Sequence, residues 1–201
     1  MSSAPALSIG FPDPVLDAQH AFHALMQALA RPGAIQPLRG APFAPEPLGS
    51  SLGAVALTLL DFETRVWLDP ASSRSDGPTP AWLRFHTGAR IVSTPGDADF
   101  ALLTDYAGAP SLDAWRLGEE AYPDRSTTLA IRVAAFGSGA RYRLTGPGIK
   151  GETLVQVTGL PAALLAAWPA NRALFPRGVD VLLVGPDAVV GLPRTTRIEE
   201  V

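Results

Sequence analysis

The 201-residue sequence has no cysteine. Disulfides, iron–sulfur clusters, thiolate zinc sites and a cysteine nucleophile are therefore excluded. Lysine is nearly absent as well: Lys150 is the single one, beside fifteen arginines. Histidine occurs only at His20, His23 and His86, which leaves few ordinary general bases. No apolar run reaches the length of a membrane span. Residues 1–14 have neither a basic nor an apolar signal-peptide region, so a cytoplasmic protein is expected. A formal charge of −3 without a basic stripe speaks against a nucleic-acid surface.

Several motifs are missing too. No G-x-S-x-G elbow is present, so a hydrolase triad has no support. Residues 146–151, Gly-Pro-Gly-Ile-Lys-Gly, invite a phosphate-loop reading but fail its spacing, because Lys150 precedes Gly151 and Glu152 follows. Asp17, His20 and His23 lie near one face of a helix, yet the i, i+4 pairing usual for helical metal sites is absent, and no metal is expected.

What is present describes one globular domain over residues 1–201, with an N-terminal arm at 1–14. Hydrophobic residues make up 47% and charged residues 17%. Asp13 caps a first helix, Pro14 suits its first position, and Arg31-Pro32-Gly33 ends it. Its expected apolar face is Val15, Ala18, Phe22, Leu25, Met26 and Leu29. A long proline-rich connector over 35–49 is expected to wrap the surface or a partner. A second helix over 52–60 is apolar nearly all round and should be buried. A short helix over 81–86 should bury Trp82 and Phe85, and another is expected over 111–117. Strands are expected at 65–68, 91–92, 100–104, 153–158 and 179–184, with a further element at 188–191. Residues 127–136 and 141–145 flank Gly137-Ser138-Gly139 and read as a hairpin. A helix over 161–174 holds a disruptive Pro169. Helices and strands intermix, which implies a three-layer α/β domain with a mixed sheet.

Candidate anion or interface residues are Arg84 and His86 at the end of the short helix, Arg143 and Lys150 around the glycine-rich corner, and Arg194, Thr195 and Thr196 after Pro193. For each the plain alternative is structural: a cation at a helix C-terminus, a tight corner, or an edge strand guarded by charge. No residue is assigned as catalytic.

Segments in order along the chain carry a resemblance. They are Asp17-Ala18-Gln19-His20, Leu83-Arg84-Phe85-His86-Thr87, the stretch from Arg143 to Ile149, Phe175-Pro176-Arg177-Gly178-Val179-Asp180 and Pro193-Arg194-Thr195-Thr196. Together they resemble the PhnH family of the bacterial phosphonate carbon–phosphorus lyase system. The resemblance implies a three-layer α/β/α domain similar to pyridoxal-phosphate-dependent transferases but without the cofactor. The lone Lys150 on a glycine-rich turn agrees, since a Schiff base needs a lysine. It also implies partner subunits PhnG, PhnI and PhnJ, and a homodimer when isolated. The implied role is structural or accessory, in forming a ribose 1-phosphonate 5-triphosphate from ATP and a phosphonate with release of adenine. The rival expectation is an independent enzyme for a phosphorylated or phosphonate metabolite, with Arg84, His86, Arg143, Lys150 and Arg194 lining one cleft.

Overall fold

The computed structural model describes residues 9–75 and 77–201. Most of the expected N-terminal arm, residues 1–8, lies outside them.

Helix α1 (Pro14–Ala30) starts and stops where its signals are. Asp13 Oδ1 accepts from the amides of Val15 and Leu16 at 3.2 and 3.1 Å, and Asp17 returns a bond by accepting from Asp13 N at 3.0 Å. Its buried face differs from the expected one. Ala21, Ala24, Leu25 and Ala28 are buried, while Val15, Phe22 and Met26 are exposed. The small residues are needed: a Cβ on Gly191 would stand 2.4 Å from the carbonyl oxygen of Ala28, so helix and sheet meet backbone to backbone. Helix α2 (Gly49–Leu59) is buried over most of its length, as its apolar circumference requires. In α3 (Pro78–Thr87) Trp82 is buried and Phe85 is exposed. Helix α4 (Ala162–Ala173) carries Pro169 inside it without being split.

The main sheet has seven strands in the order β1-β9-β8-β5-β4-β2-β3. Five run parallel: β2 (Arg65–Leu68), β3 (Arg90–Val92), β4 (Phe100–Leu103), β5 (Thr128–Arg132) and β8 (Asp180–Val184). Strand β9 (Ala188–Leu192) turns back antiparallel on β8, and the proline-rich connector adds β1 (Gln36–Pro37) to β9. A second, antiparallel sheet joins β6 (Ala135–Thr145), β7 (Thr153–Thr158) and β10 (Arg197–Glu200) in the order β10-β6-β7.

One core cluster joins α1, α2 and α3 to one face of the main sheet through Leu25, Leu52, Trp82 and Leu83. The other joins α4 and the small sheet to the opposite face through Leu164, Trp168, Tyr142, Leu144, Val155 and Val157. The mixed α/β fold with a mixed sheet is as expected; the second outer layer is a small sheet plus one helix rather than helices alone.

The expected hairpin at 137–139 is not formed. Strand β5 lies in the centre of the parallel sheet, and β6 continues through Gly137 and Gly139 as a bulge opposite Val157. Both glycines have positive φ, 78° and 83°, a conformation that bulges and hairpin turns both demand, so the local pattern fits either. The true hairpin joins β6 to β7 across residues 146–151. Of the helix expected over 111–117 only one 3-10 turn forms, Leu112–Ala114. Trp115 then leaves the turn to meet Trp67 edge-on, with ring centroids 5.2 Å apart.

Candidate functional site

The two edges of the parallel sheet do different work. At the edge where the strands begin, charges are paired with one another. Arg65 precedes β2's buried residues and Asp99 precedes β4. Asp99 accepts from Arg65 Nε at 3.0 Å, Arg65 Nη2 at 2.8 Å and Arg116 Nη1 at 2.9 Å. Burial pushes the Asp99 carboxyl up, but the bonds from Arg65 and the charges of Arg65 and Arg116 outweigh it and hold it below its ordinary value. A lowered folded pKa stabilises the fold fully above the unfolded value and is lost as pH falls through the folded one. Asp99→Asn should therefore cost about 1–3 kcal/mol near neutral pH. That deficit should begin to shrink below about pH 4, where the unfolded carboxyl takes its proton, and vanish at still lower pH as the folded one takes its own. Urea melts of both proteins across acid pH check it.

Arg194 belongs to this edge as well. It donates through Nε to Asp180 Oδ1 at 3.1 Å and through Nη2 to Asp180 Oδ2 at 2.5 Å. Nη2 also reaches Ser126 Oγ at 2.6 Å, and Nη1 reaches the carbonyls of Pro123 and Pro176 at 3.0 and 3.1 Å. The fork's donors are all spent on the protein, so this arginine holds the fold rather than a ligand. Beside it, Thr196 is fully buried, with a hydroxyl that meets no partner, while its carbonyl accepts from Trp168 Nε1 at 2.7 Å. Thr196→Val should be neutral or add up to about 1 kcal/mol in a thermal melt, since it deletes an unpaired polar atom at constant volume. A loss above that size would show that the hydroxyl has a partner. Thr195 sits in the same turn, its carbonyl against Gly146.

The remaining candidates lie apart. Arg143 is on the outer face of the small sheet, with Nε 3.2 Å from Glu152 and Nη1 3.8 Å from Glu199, ionic contacts without hydrogen-bond alignment at Nε. Lys150 is exposed on the 146–151 turn. Arg84 and His86 end α3, on the helical side of the main sheet; Arg84 is exposed and the His86 ring stands 4.8 Å from Trp82. The cations thus fall on opposite faces of the main sheet and do not line one cleft. Among the described residues no group of three or more His, Asp and Glu is placed to hold a metal ion, and no helix is long and apolar enough to cross a membrane.

The edge where the parallel strands end is open. Helices α2, α3 and α4 begin there, and each start lines a cavity. A cavity of about 280 Å³ lies at Pro78 and Thr79 of α3 with Ser72 and Arg74. Cavities of about 230 and 460 Å³ lie at the starts of α2 and α4. Arg132, the last residue of β5, lines both of these last two. Its Nη2 donates to the carbonyls of Pro47 (2.5 Å) and Leu48, and among the described residues no carboxylate pairs with it. Neither α2 nor α4 has a side-chain cap, and the first residues of both helices line these cavities together with the guanidinium, although the Gly49 amide of α2 donates to the Pro45 carbonyl at 3.0 Å. Glu46 and Asp105 supply the acids of the same rim. This arrangement can receive an anion; it offers no activated nucleophile.

Between β2 and β4 the strand order reverses, and there doubly wound sheets ordinarily open a ligand crevice. Here protein fills it. Asp69 is fully buried and accepts from Thr104 N, Thr104 Oγ1, Asp105 N and Ser72 N at 2.6, 2.6, 2.8 and 2.9 Å. Sequence reasoning singled out neither Asp69 nor Arg132. The signal that was available is a charge closing a run of three apolar residues in each case, Val-Trp-Leu-Asp and Leu-Ala-Ile-Arg.

Comparison with known proteins adds the following. A family model described as "Bacterial phosphonate metabolism protein (PhnH)" matches residues 9–199. Over 189 residues the chain is 48% identical to "Alpha-D-ribose 1-methylphosphonate 5-triphosphate synthase subunit PhnH" of Rhizobium meliloti (strain 1021), covering 94% of each chain. Over 181 residues it is 36% identical to "Putative C-P lyase subunit protein HtxG" of Stutzerimonas stutzeri, covering 90% of this chain and 85% of that one.

Proposed function

The chain belongs to the PhnH family, and from that premise we propose that it is a subunit of the carbon–phosphorus lyase core assembly. In this reading it supports formation of a ribose 1-phosphonate 5-triphosphate from ATP and a phosphonate, in the cytoplasm, alongside PhnG, PhnI and PhnJ. The observation that carries it is the 48% identity, across nearly the whole of both chains, to a relative named as a subunit of that synthase. The chemistry of the fold supports an accessory role: its paired charges are spent on the fold, and its open edge has a cation without a nucleophile. The same reading includes a homodimer for the isolated chain. It also includes a transferase-like domain that works without pyridoxal phosphate, because the only lysine is exposed on a hairpin turn. Co-expression with the three named subunits should yield one co-eluting complex. If they assemble with each other and leave this chain behind, the reading fails.

A second reading is favoured by Arg132 alone: the open edge contacts a phosphate or phosphonate group, of ATP or of the phosphonate. Calorimetric titration with ATP and with methylphosphonate should show binding that Arg132→Ala weakens at least about tenfold, or roughly 1.4 kcal/mol. Equal binding by wild type and variant, or none by wild type, removes this reading.

A further inference from the structure

Four strands are outermost in the two sheets, and three of them are guarded. In the main sheet, β1 is two residues long and includes Pro37, and β3 is three residues long and begins with Arg90. In the small sheet, β10 carries Arg197, Glu199 and Glu200. Shortness, proline and charge are the ordinary means of keeping another chain off an outermost strand. Strand β7, on the other flank of the small sheet, has none of them. Its six residues read Thr-Leu-Val-Gln-Val-Thr, without a charge, a proline or a glycine. That composition belongs to segments that pair readily with a further strand.

The backbone of β7 is free to pair. Every second residue of an antiparallel strand turns its N–H and C=O away from its partner. Strand β6 takes one flank of β7, and the amide of Ala134, just ahead of β6, takes the Thr158 carbonyl at 2.9 Å. Among the described residues no other group bonds the backbone of residues 153–158. A row of about 20 Å is thus left unpaired.

The side chains specify what fits there. Val155 and Val157 face the core and are buried, while Leu154 faces out, 52% exposed. A strand laid along β7 therefore needs apolar residues at alternate positions beside the two valines. On the outer face Gln156 stands in register with Arg141 of β6. Arg141 is exposed, and among the described residues no carboxylate pairs with it, whereas its neighbour Arg143 is met by Glu152 and Glu199. A strand added beyond β7 lies two strand spacings, about 10 Å, from the backbone of Arg141. An arginine and a carboxylate side chain together span that distance across Gln156. A second copy docked by the same strand would bring to this face another Arg141 and no acid that is not already beside Arg143. The charge therefore favours a different chain.

We propose that the outer flank of β7 is a strand-addition site, occupied in the assembly by an extended segment of another subunit that alternates apolar residues and places an acid opposite Gln156. It rests on the subunit reading above and adds the surface and the mode of contact. The test is hydrogen–deuterium exchange on the isolated chain and on the co-purified assembly. Amides of residues 153–158 should exchange at least about tenfold more slowly in the assembly. Gln156→Lys and Arg141→Glu should each weaken assembly at least about tenfold. Thermal melts of the isolated variants should match wild type; if a variant does not fold, the wild-type exchange decides alone. An assembly that forms with unchanged exchange at 153–158, or with both variants at full affinity, overturns this site and leaves the subunit reading standing. A wild-type chain that joins no assembly overturns both. Slowed exchange in the isolated chain that deepens with its own concentration puts a second copy on the strand, and the proposal fails.

Discussion

Replacing Arg194 with alanine should cost the fold about 3–5 kcal/mol, the usual penalty for removing one partner of a buried, hydrogen-bonded ion pair. The side chain is only 11% exposed and bridges the start of β8 at Asp180, Ser126 just after the 3-10 turn Pro123–Arg125, and the carbonyls of Pro123 and Pro176. Alanine leaves a hydroxyl and two carbonyls without their donor, and the Asp180 carboxylate with only the backbone amide of residue 194, which donates to Oδ1 at 2.7 Å. At about 2–4 °C per kcal/mol for a chain of this size, the melting temperature should fall by roughly 10 °C. Arg194→Lys should recover little, because one ammonium cannot reproduce a planar fork that serves several acceptors at once. Urea unfolding of the three proteins measures the effect. A loss below about 1 kcal/mol would mean that solvent already shares the site, and Arg194 would again be open to a ligand role.

The second large effect is expected at Asp69. Asp69→Ala removes the acceptor for three backbone amides and one hydroxyl at a fully buried position. At about 1–3 kcal/mol for each buried donor left unpaired, and with partial rescue by water, the loss should be about 3 kcal/mol or more. Asp69→Asn should be nearly as harmful, because its amide NH₂ would be turned toward groups that also donate. The variants should separate structure from function: if Asp69 is a pin across the strand-order reversal, loss of stability and loss of assembly activity run together. A stable Asp69→Asn protein with a specific defect in activity would instead place this carboxylate among reacting groups.

These two residues also show where the sequence was readable and where it was not. Helix α1 was legible to the residue because its signals are local: an Asp–Pro start and an Arg-Pro-Gly stop. The glycine-rich corner was legible as a corner, and it is the β6–β7 turn. The face of α1 was not legible. Its apolar arc is wider than the core below it, and only the close approach of Gly191 to Ala28 decides which part is buried. The bulge at Gly137 and Gly139 was misread as a turn because positive φ serves both, and the partner strand that decides between them comes twenty residues later. Arg194 was left between an anion or interface contact and a charge-guarded edge strand, because Asp180, Ser126, Pro123 and Pro176, which bind it, are remote in sequence. Arg132 was missed for the converse reason: what singles it out is the meeting of β5's end with the starts of α2 and α4, a property of topology and not of any window of sequence.

The family assignment came from ordered segments spread over the chain, and the match over residues 9–199 bears it out. The fold adds a division of labour that the segments did not show. One edge of the parallel sheet locks charges together, the other leaves Arg132 beside two cavities, and the helical side exposes a neutral apolar stripe.

The central claim is that the chain acts as a subunit and not alone. The most direct measurement is add-back. The partner subunits are prepared without this chain, supplied with ATP and methylphosphonate, and followed for adenine release. The account predicts little release from the partners alone, none from this chain alone, and full release when the two are combined. Release by this chain alone, or by the partners at the full rate without it, would contradict the account.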